Sequence, residues 1–152
     1  MKKVNVKNTK SAGYAAVLRQ IQKDRVCPFC EKHFLKYHTR PILKKSKYWI
    51  LTENFRPYPG TTHHLLVVSR KHIDHFDKLS AAAQADLFSI LAPEVRKRRI
   101  RGGGLFMRFG DTDYNFSSVQ HLHAQLVVGI KQSKNTELLL APLGYKKKGT
   151  GF

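Results

Sequence analysis

Long apolar runs are missing from this chain. No stretch of about 18 or more apolar residues occurs, which excludes a membrane-spanning helix. The basic start, Met1-Lys2-Lys3-Val4-Asn5-Val6-Lys7, is not followed by an apolar segment, so it does not read as a secretory leader and the expected location is the cytoplasm. Cysteine is scarce: Cys27 and Cys30 are the only two, too few for a disulfide framework. No internal repeat or domain boundary is visible, and 152 residues suit one domain around one core. Acidic residues are scarcest of all relative to their opposites. Ten Asp and Glu face 28 Lys and Arg, a formal charge of +18. Such a field draws in phosphate polyanions without saying whether they are nucleotide, RNA or DNA. Much of the charge lies in Lys2, Lys3, Lys7 and Lys10, in Lys146, Lys147 and Lys148, and in Arg96-Lys97-Arg98-Arg99-Ile100-Arg101. The basic tails are expected to lend non-specific affinity for nucleic acid.

The residues present are most informative between Val119 and Gly129. His121, His123 and Gln125 alternate there with Leu122, Ala124 and Leu126. Period two reads as a strand, with the polar side chains on one face about 6–7 Å apart and the apolar ones on the core. Three nitrogen-rich side chains on a half-buried strand are costly unless they bind something. The Cys27-Pro28-Phe29-Cys30 turn reads as a redox pair or as half of a zinc site. Zinc is favoured, because mostly polar residues precede the turn, unlike a buried strand before a redox helix, and eight histidines are available as partners.

Elsewhere, Tyr14, Val17, Leu18 and Ile21 repeat at helical spacing, predicting an amphipathic helix over residues 11–23 with Ser11 as its cap. Ile42-Leu43, residues 48–52, residues 64–69 and residues 105–109 read as strands. Ser80 opens a predicted helix running to about Arg101, kinked or divided at Pro93 and ended by Gly102-Gly103-Gly104. Hairpin-linked strands with segregated helices predict an α+β domain over residues 11–143, between a disordered basic tail (1–10) and a basic C-terminal tail (144–152).

From Cys27 to Gly129 the sequence resembles the histidine triad superfamily of nucleotidyl hydrolases and transferases. Three segments in order carry the resemblance: the Cys-Pro-Phe-Cys turn, His64-Leu65-Leu66-Val67-Val68-Ser69-Arg70-Lys71-His72, and Ser117-Ser118-Val119-Gln120-His121-Leu122-His123-Ala124-Gln125. The resemblance implies a single antiparallel sheet with flanking helices. It also implies a nucleotidyl hydrolase or transferase that attacks the α-phosphate of a nucleotide conjugate, such as a dinucleoside polyphosphate or an adenylylated substrate, through a covalent nucleotidyl-histidine. By the same resemblance His123 is the nucleophile, Ser117 and Ser118 cradle the α-phosphate, and His64 contacts phosphate or orients the reacting groups. Cys27, Cys30, His72 and His121 match the positions of a structural zinc site, with His33 and His75 as rival third ligands. Relatives are often homodimers, and some remove adenylate from nucleic-acid ends.

Departures from the pattern are informative. His63 stands where a glycine is usual, Ser69 where a proline is usual, and Asn54 is the nearest counterpart of a ribose-binding aspartate. Gln125 replaces the third histidine, and His-x-His-x-Gln resembles the transferase branch, including diadenosine polyphosphate phosphorylases. A glutamine can donate to a phosphate oxygen but cannot change charge near neutrality, so it cannot be a general acid. Phe29, Phe34, Trp49 and Phe55 are base-pocket candidates by position, read here as core. The alternative to an enzyme is a zinc-stabilised nucleic-acid-binding protein with little catalysis.

Overall fold

The computed structural model describes residues 3–9 and 11–151. Five strands form one antiparallel sheet: β1 (Ile42–Lys45), β2 (Trp49–Glu53), β3 (His63–Ser69), β4 (Gly104–Arg108) and β5 (His123–Val128). Their order is β1-β2-β3-β5-β4, so β3 lies central, β5 beside it, and β4 at an edge. Four helices flank the sheet: α1 (Ala12–Asp24), α2 (Glu31–Tyr37), α3 (Ala81–Lys97) and the single turn α4 (Thr112–Asn115). The α+β class and the antiparallel sheet expected from the sequence are both present. Among the described residues no helix is long and apolar enough to cross a membrane.

Both faces of the sheet are covered, and the central strands are therefore apolar almost throughout. On one face Trp49, Leu51, Leu65, Val67, Ala124, Leu126 and Val128 pack under Leu87, Ile90 and Leu91 of α3. The Trp49 indole N–H completes that contact by donating to the Ala83 carbonyl at 2.8 Å. On the other face Phe34 of α2 packs on Ile50, Leu66 and Val68. His123 and Gln125 share this second face, because β5 alternates. A third cluster joins Leu18 and Ile21 of α1 to Val4, Cys27 and Val119.

The two serine caps form as expected: Ser11 accepts from the Tyr14 N–H and Ser80 from the Ala83 N–H. Helix α3 runs unbroken through Pro93 but stops at Lys97, four residues short of the expected end. Arg99 takes a left-handed conformation (φ 52°) and turns the chain before the glycines are reached. The strand expected from Val119 begins only at His123, so His121 lies just ahead of it.

The N-terminal segment overturns an expectation. Residues 3–9, within the stretch expected to be a disordered tail, are stitched to residues 112–120. (Residues 1, 2 and 10 lie outside the described residues.) Val4 is buried and bridges Val119. The Asn5 N–H donates to the Ser118 carbonyl at 2.8 Å, and the Gln120 N–H to the Lys3 carbonyl at 3.0 Å. Asn8 is buried, donates to the carbonyls of Thr112 (2.6 Å) and Ser117 (2.8 Å), and accepts from the Tyr145 hydroxyl (2.6 Å). Polar side chains do here what water would do for a free loop, which no hydrophobic pattern reveals. Asn8→Ala is expected to leave two carbonyls and a hydroxyl unpaired, lowering stability by about 3 kcal/mol and Tm by about 9 °C. A disordered tail would show no change in a thermal melt. At the other end Pro142 and Tyr145 are held by hydrogen bonds, while residues 146–151 are exposed.

His38 closes α2 as a buried ring stacked on Phe34, with centroids 4.6 Å apart. The Thr52 hydroxyl donates to the Pro41 carbonyl (2.9 Å) and so accepts from His38 Nε2–H (2.8 Å). Burial, with the Arg40 charge adding to it, pushes the imidazole down to about 4. The unfolded chain takes up a proton below about pH 6.5 that the folded chain refuses until about pH 4. Stability from this residue is thus present above pH 6.5 and drains away as pH falls toward 4. Comparing denaturant melts across that range, His38→Phe is expected to flatten the acid limb by about 3 kcal/mol.

Candidate active site and metal centre

The front of β5 carries the candidate reactive ring. His123 Nδ1 lies 2.7 Å from the His121 carbonyl oxygen. A nitrogen facing a carbonyl carries the proton, so Nε2 holds the lone pair. Among the described residues Nε2 has no hydrogen-bonding partner. Burial, reinforced by the charge of Arg108, pushes this imidazole down to about 3, so the ring is neutral at physiological pH. The ring is 4% exposed, and the Phe29 ring meets it edge-on with centroids 5.2 Å apart.

Gln125 follows on the same face of the strand. His64, diagonal to it on β3, accepts from the Tyr58 N–H at Nδ1 (3.1 Å) and donates from Nε2 to Gln125 Oε1 (2.7 Å). The Gln125 oxygen is thereby taken, and its NH₂ is left to point elsewhere. Asn54 Nδ2 lies 3.1 Å from His64 Nε2, and Asn54 Oδ1 accepts from the Arg56 N–H. Asn54, His64, Gln125 and His123 are therefore gathered along β3 and β5. Ser117 and Ser118 precede them, but their hydroxyls do not stand free for a phosphate. They donate to the carbonyls of Val119 (2.8 Å) and Asn8 (2.7 Å), the second being part of the N-terminal strap. Of the base-pocket candidates, Trp49 and Phe34 are core, while Phe29 and Phe55 are only partly buried. The slot beside them, also lined by Tyr14, Val17 and Ile21 of α1, has only about 10 Å³ of free room.

One residue escaped the sequence reading. Arg108 ends β4 directly across from His123 and is buried. Its guanidinium donates to the Tyr58 hydroxyl (2.8 Å), to the Pro142 carbonyl (2.5 Å) and to the Asn115 carbonyl, and no carboxylate among the described residues pairs with it. A buried cation answered only by neutral acceptors leaves a positive field at His123. The available signal was a lone arginine inside Leu105-Phe106-Met107-Arg108-Phe109, where strand propensity hid it.

Cys27, Cys30, His72 and His121 converge, with all four ligand atoms within 4.8 Å of one another. Cys27 Sγ lies 3.4 Å from His121 Nδ1, Cys30 Sγ 3.3 Å from His72 Nδ1, and the two Nδ1 atoms are 3.2 Å apart. A tetrahedral zinc ion with Zn–N of about 2.1 Å and Zn–S of about 2.3 Å would set these edges at about 3.6 Å and about 3.4 Å. The donor set fits the ion in both chemistry and size. His121 Nε2 donates to the Ser69 carbonyl at 2.7 Å, which fixes the tautomer that offers Nδ1 to the cluster. Burial holds the Cys27 thiol up at about 12 in the absence of a cation. The rivals lie outside this group: neither His33 nor His75 joins it, and His75 faces Asp77 at 3.0 Å.

No family model matches the sequence, and no curated protein matches it. Solved structures do. A protein described as "Hit Like Protein" is 20% identical with a TM-score of 0.53, the match covering 66% of this chain and 96% of that one. A HIT family hydrolase from Clostridium thermocellum is 18% identical with a TM-score of 0.50, covering 72% and 93%. A zinc-bound histidine triad family protein from Mycobacterium smegmatis is 17% identical with a TM-score of 0.50, covering 74% and 83%. With its sheet order and the His121-to-Gln125 motif at the front of β5, the chain has the fold of the histidine triad proteins.

Proposed function

We propose that this chain is a nucleotidyl hydrolase or transferase in which His123 becomes covalently nucleotidylated. His123 Nε2 attacks the α-phosphorus of a nucleotide conjugate. The bond from phosphorus to the leaving-group oxygen breaks, and its electron pair departs with that oxygen. Water or a phosphate-bearing acceptor then attacks the same phosphorus, loses its proton, and returns the imidazole to its neutral form. The carrying observation is the tautomer: Nδ1–H is fixed on the His121 carbonyl, leaving the lone pair on Nε2.

The neighbours supply positioning and charge, which is most of what phosphoryl transfer asks of a protein. Gln125, its oxygen held by His64, turns its NH₂ to a non-bridging oxygen. Arg108 supplies positive potential, and Asn54 is the candidate for the ribose. Because Gln125 cannot protonate a leaving group, the preferred substrates are those whose leaving group is a stable anion, namely pyrophosphate-linked nucleotides; this also favours transfer. Cys27, Cys30, His72 and His121 would hold zinc in a closed set with no place for water, so the ion's role is structural. The neighbours named as a hydrolase and as a zinc-bound protein support both halves of this reading. The reading also carries a condition. Phe29 stands against a ring that is 4% exposed, so Phe29 must swing aside for a substrate to enter.

The test is intact-protein mass after rapid acid-free quenching of a reaction with a diadenosine polyphosphate. A gain of one nucleotidyl group, absent from His123→Ala, is expected. Turnover with no adduct at any quench time overturns the covalent route.

A further inference from the structure

A second basic feature lies away from His123. A cleft of about 660 Å³ opens between the end of α3 and the end of β5. Arg98, Arg99, Arg101 and Lys131 line it together with His63, and no acidic residue does. It sits at the far end of β5 from His123, about 17 Å along the strand. His63 and His64 leave β3 on opposite faces, so the cleft and the Gln125 side of the sheet are distinct.

The chain builds this concavity deliberately in its local geometry. Arg98 caps α3 and is locked by Glu94 (2.9 Å) and Glu53 (2.7 Å). Arg99 then turns left-handed, so the next residues leave the helix axis sharply. Arg99, Arg101 and Lys131 are exposed, and among the described residues none of them forms an ion pair. Gly102 and Gly103 lie between them on the cleft wall. A Cβ on Gly103 would stand 2.8 Å from the Val127 carbonyl, so that backbone lies flat against β5. A Cβ at Gly102 would meet nothing within 4 Å, which leaves the cleft open there. A helix end attracts cations in its last turn, and Arg96, Lys97 and the capping Arg98 meet that need. It does not explain unpaired cations on both walls of an open trough, where like charges repel one another and focus a positive potential.

We propose that this cleft binds the phosphate backbone of a nucleic acid strand. A compact phosphate asks for buried, converging donors, and only Arg98 here is restrained. Long exposed cations along an open cleft fit a repeating polyanion instead. This site stands independently of the chemistry at His123.

The experiment is fluorescence anisotropy of labelled single-stranded and duplex oligonucleotides, titrated with the full chain between 50 and 200 mM salt. The cleft variant combines Arg99→Glu, Arg101→Glu and Lys131→Glu. The control combines Lys146→Glu, Lys147→Glu and Lys148→Glu, which changes the net charge equally. Losing three phosphate contacts is expected to reduce the salt slope on duplex by about 2.7. Across that fourfold salt range the wild type should then lose about 40-fold more affinity than the cleft variant. The control should lose less than half as much slope. Equal losses in the two variants, or no loss in the cleft variant, overturn the proposal. So does inorganic tripolyphosphate if it competes as well as oligonucleotide at equal phosphate. If the cleft variant melts early, Arg101→Gln with Lys131→Gln takes its place; a slope reduced by about 1.8 supports the cleft and an unchanged slope overturns it.

Discussion

Replacing His123 with alanine is expected to reduce nucleotide release from a diadenosine polyphosphate by on the order of 10⁴-fold, with KM changing far less. No other side chain can take over the attack. His64 is another imidazole on this face, but both its nitrogens are engaged, by the Tyr58 N–H and by Gln125. Gln125 has no nucleophilic lone pair on its nitrogen. His121 presents Nδ1 to the cysteines and Nε2 to the Ser69 carbonyl. His123→Asn is the companion variant, since it keeps an N–H donor beside the His121 carbonyl and removes less buried volume. Both variants should melt as cooperative folded proteins. A loss of under about tenfold in either would place the chemistry on another group and end the assignment to His123.

How much of this site could be read beforehand follows from the range of each signal. Ser11 and Ser80 were legible as caps because a cap and its partner lie three residues apart. The β5 face was legible because alternation is local: Leu122, Ala124 and Leu126 do pack in the α3 core, while His123 and Gln125 face away. Helix α2 was not, because seven residues with one buried side chain, Phe34, and no side-chain cap leave too little periodicity. The α3 terminus was misplaced because Arg99 adopts a conformation that glycine favours, and the glycines stand just beyond it. Asn5, Asn8 and Arg108 reach Thr112, Tyr145 and Tyr58, which lie 107, 137 and 50 positions away and which only the folded chain brings together. Of the metal cluster, the Cys-x-x-Cys half is local, and the resemblance to a known family supplied His72 and His121. The carbonyl partners of the Ser117 and Ser118 hydroxyls were not legible either, one of them lying on a segment expected to be disordered.

Purified without chelator, the chain is expected to carry one zinc per molecule by elemental analysis, and Cys30→Ser to carry none. The ligand atoms come from three separate parts of the sequence: the turn before α2, the loop after β3, and the residue two before His123. An ion there would add to the contacts that already join these segments, among them the Arg70–Glu31 ion pair and the Leu122 N–H on the Ile73 carbonyl. A ligand bound only by the folded state stabilises it by about 4 kcal/mol when its free concentration is a thousand times Kd. Chelation under reducing conditions should therefore lower Tm by about 12 °C, and re-addition of zinc should restore it. Cys30→Ser should melt near the chelated wild type and should not respond to zinc. Activity should fall with the metal, because His121 would both ligate the ion and offer the carbonyl that fixes the His123 tautomer. Wild-type protein that carries no zinc, or a Tm indifferent to chelator while the thiols stay reduced, would show that these four side chains hold each other without an ion, as a thiol–imidazole cluster.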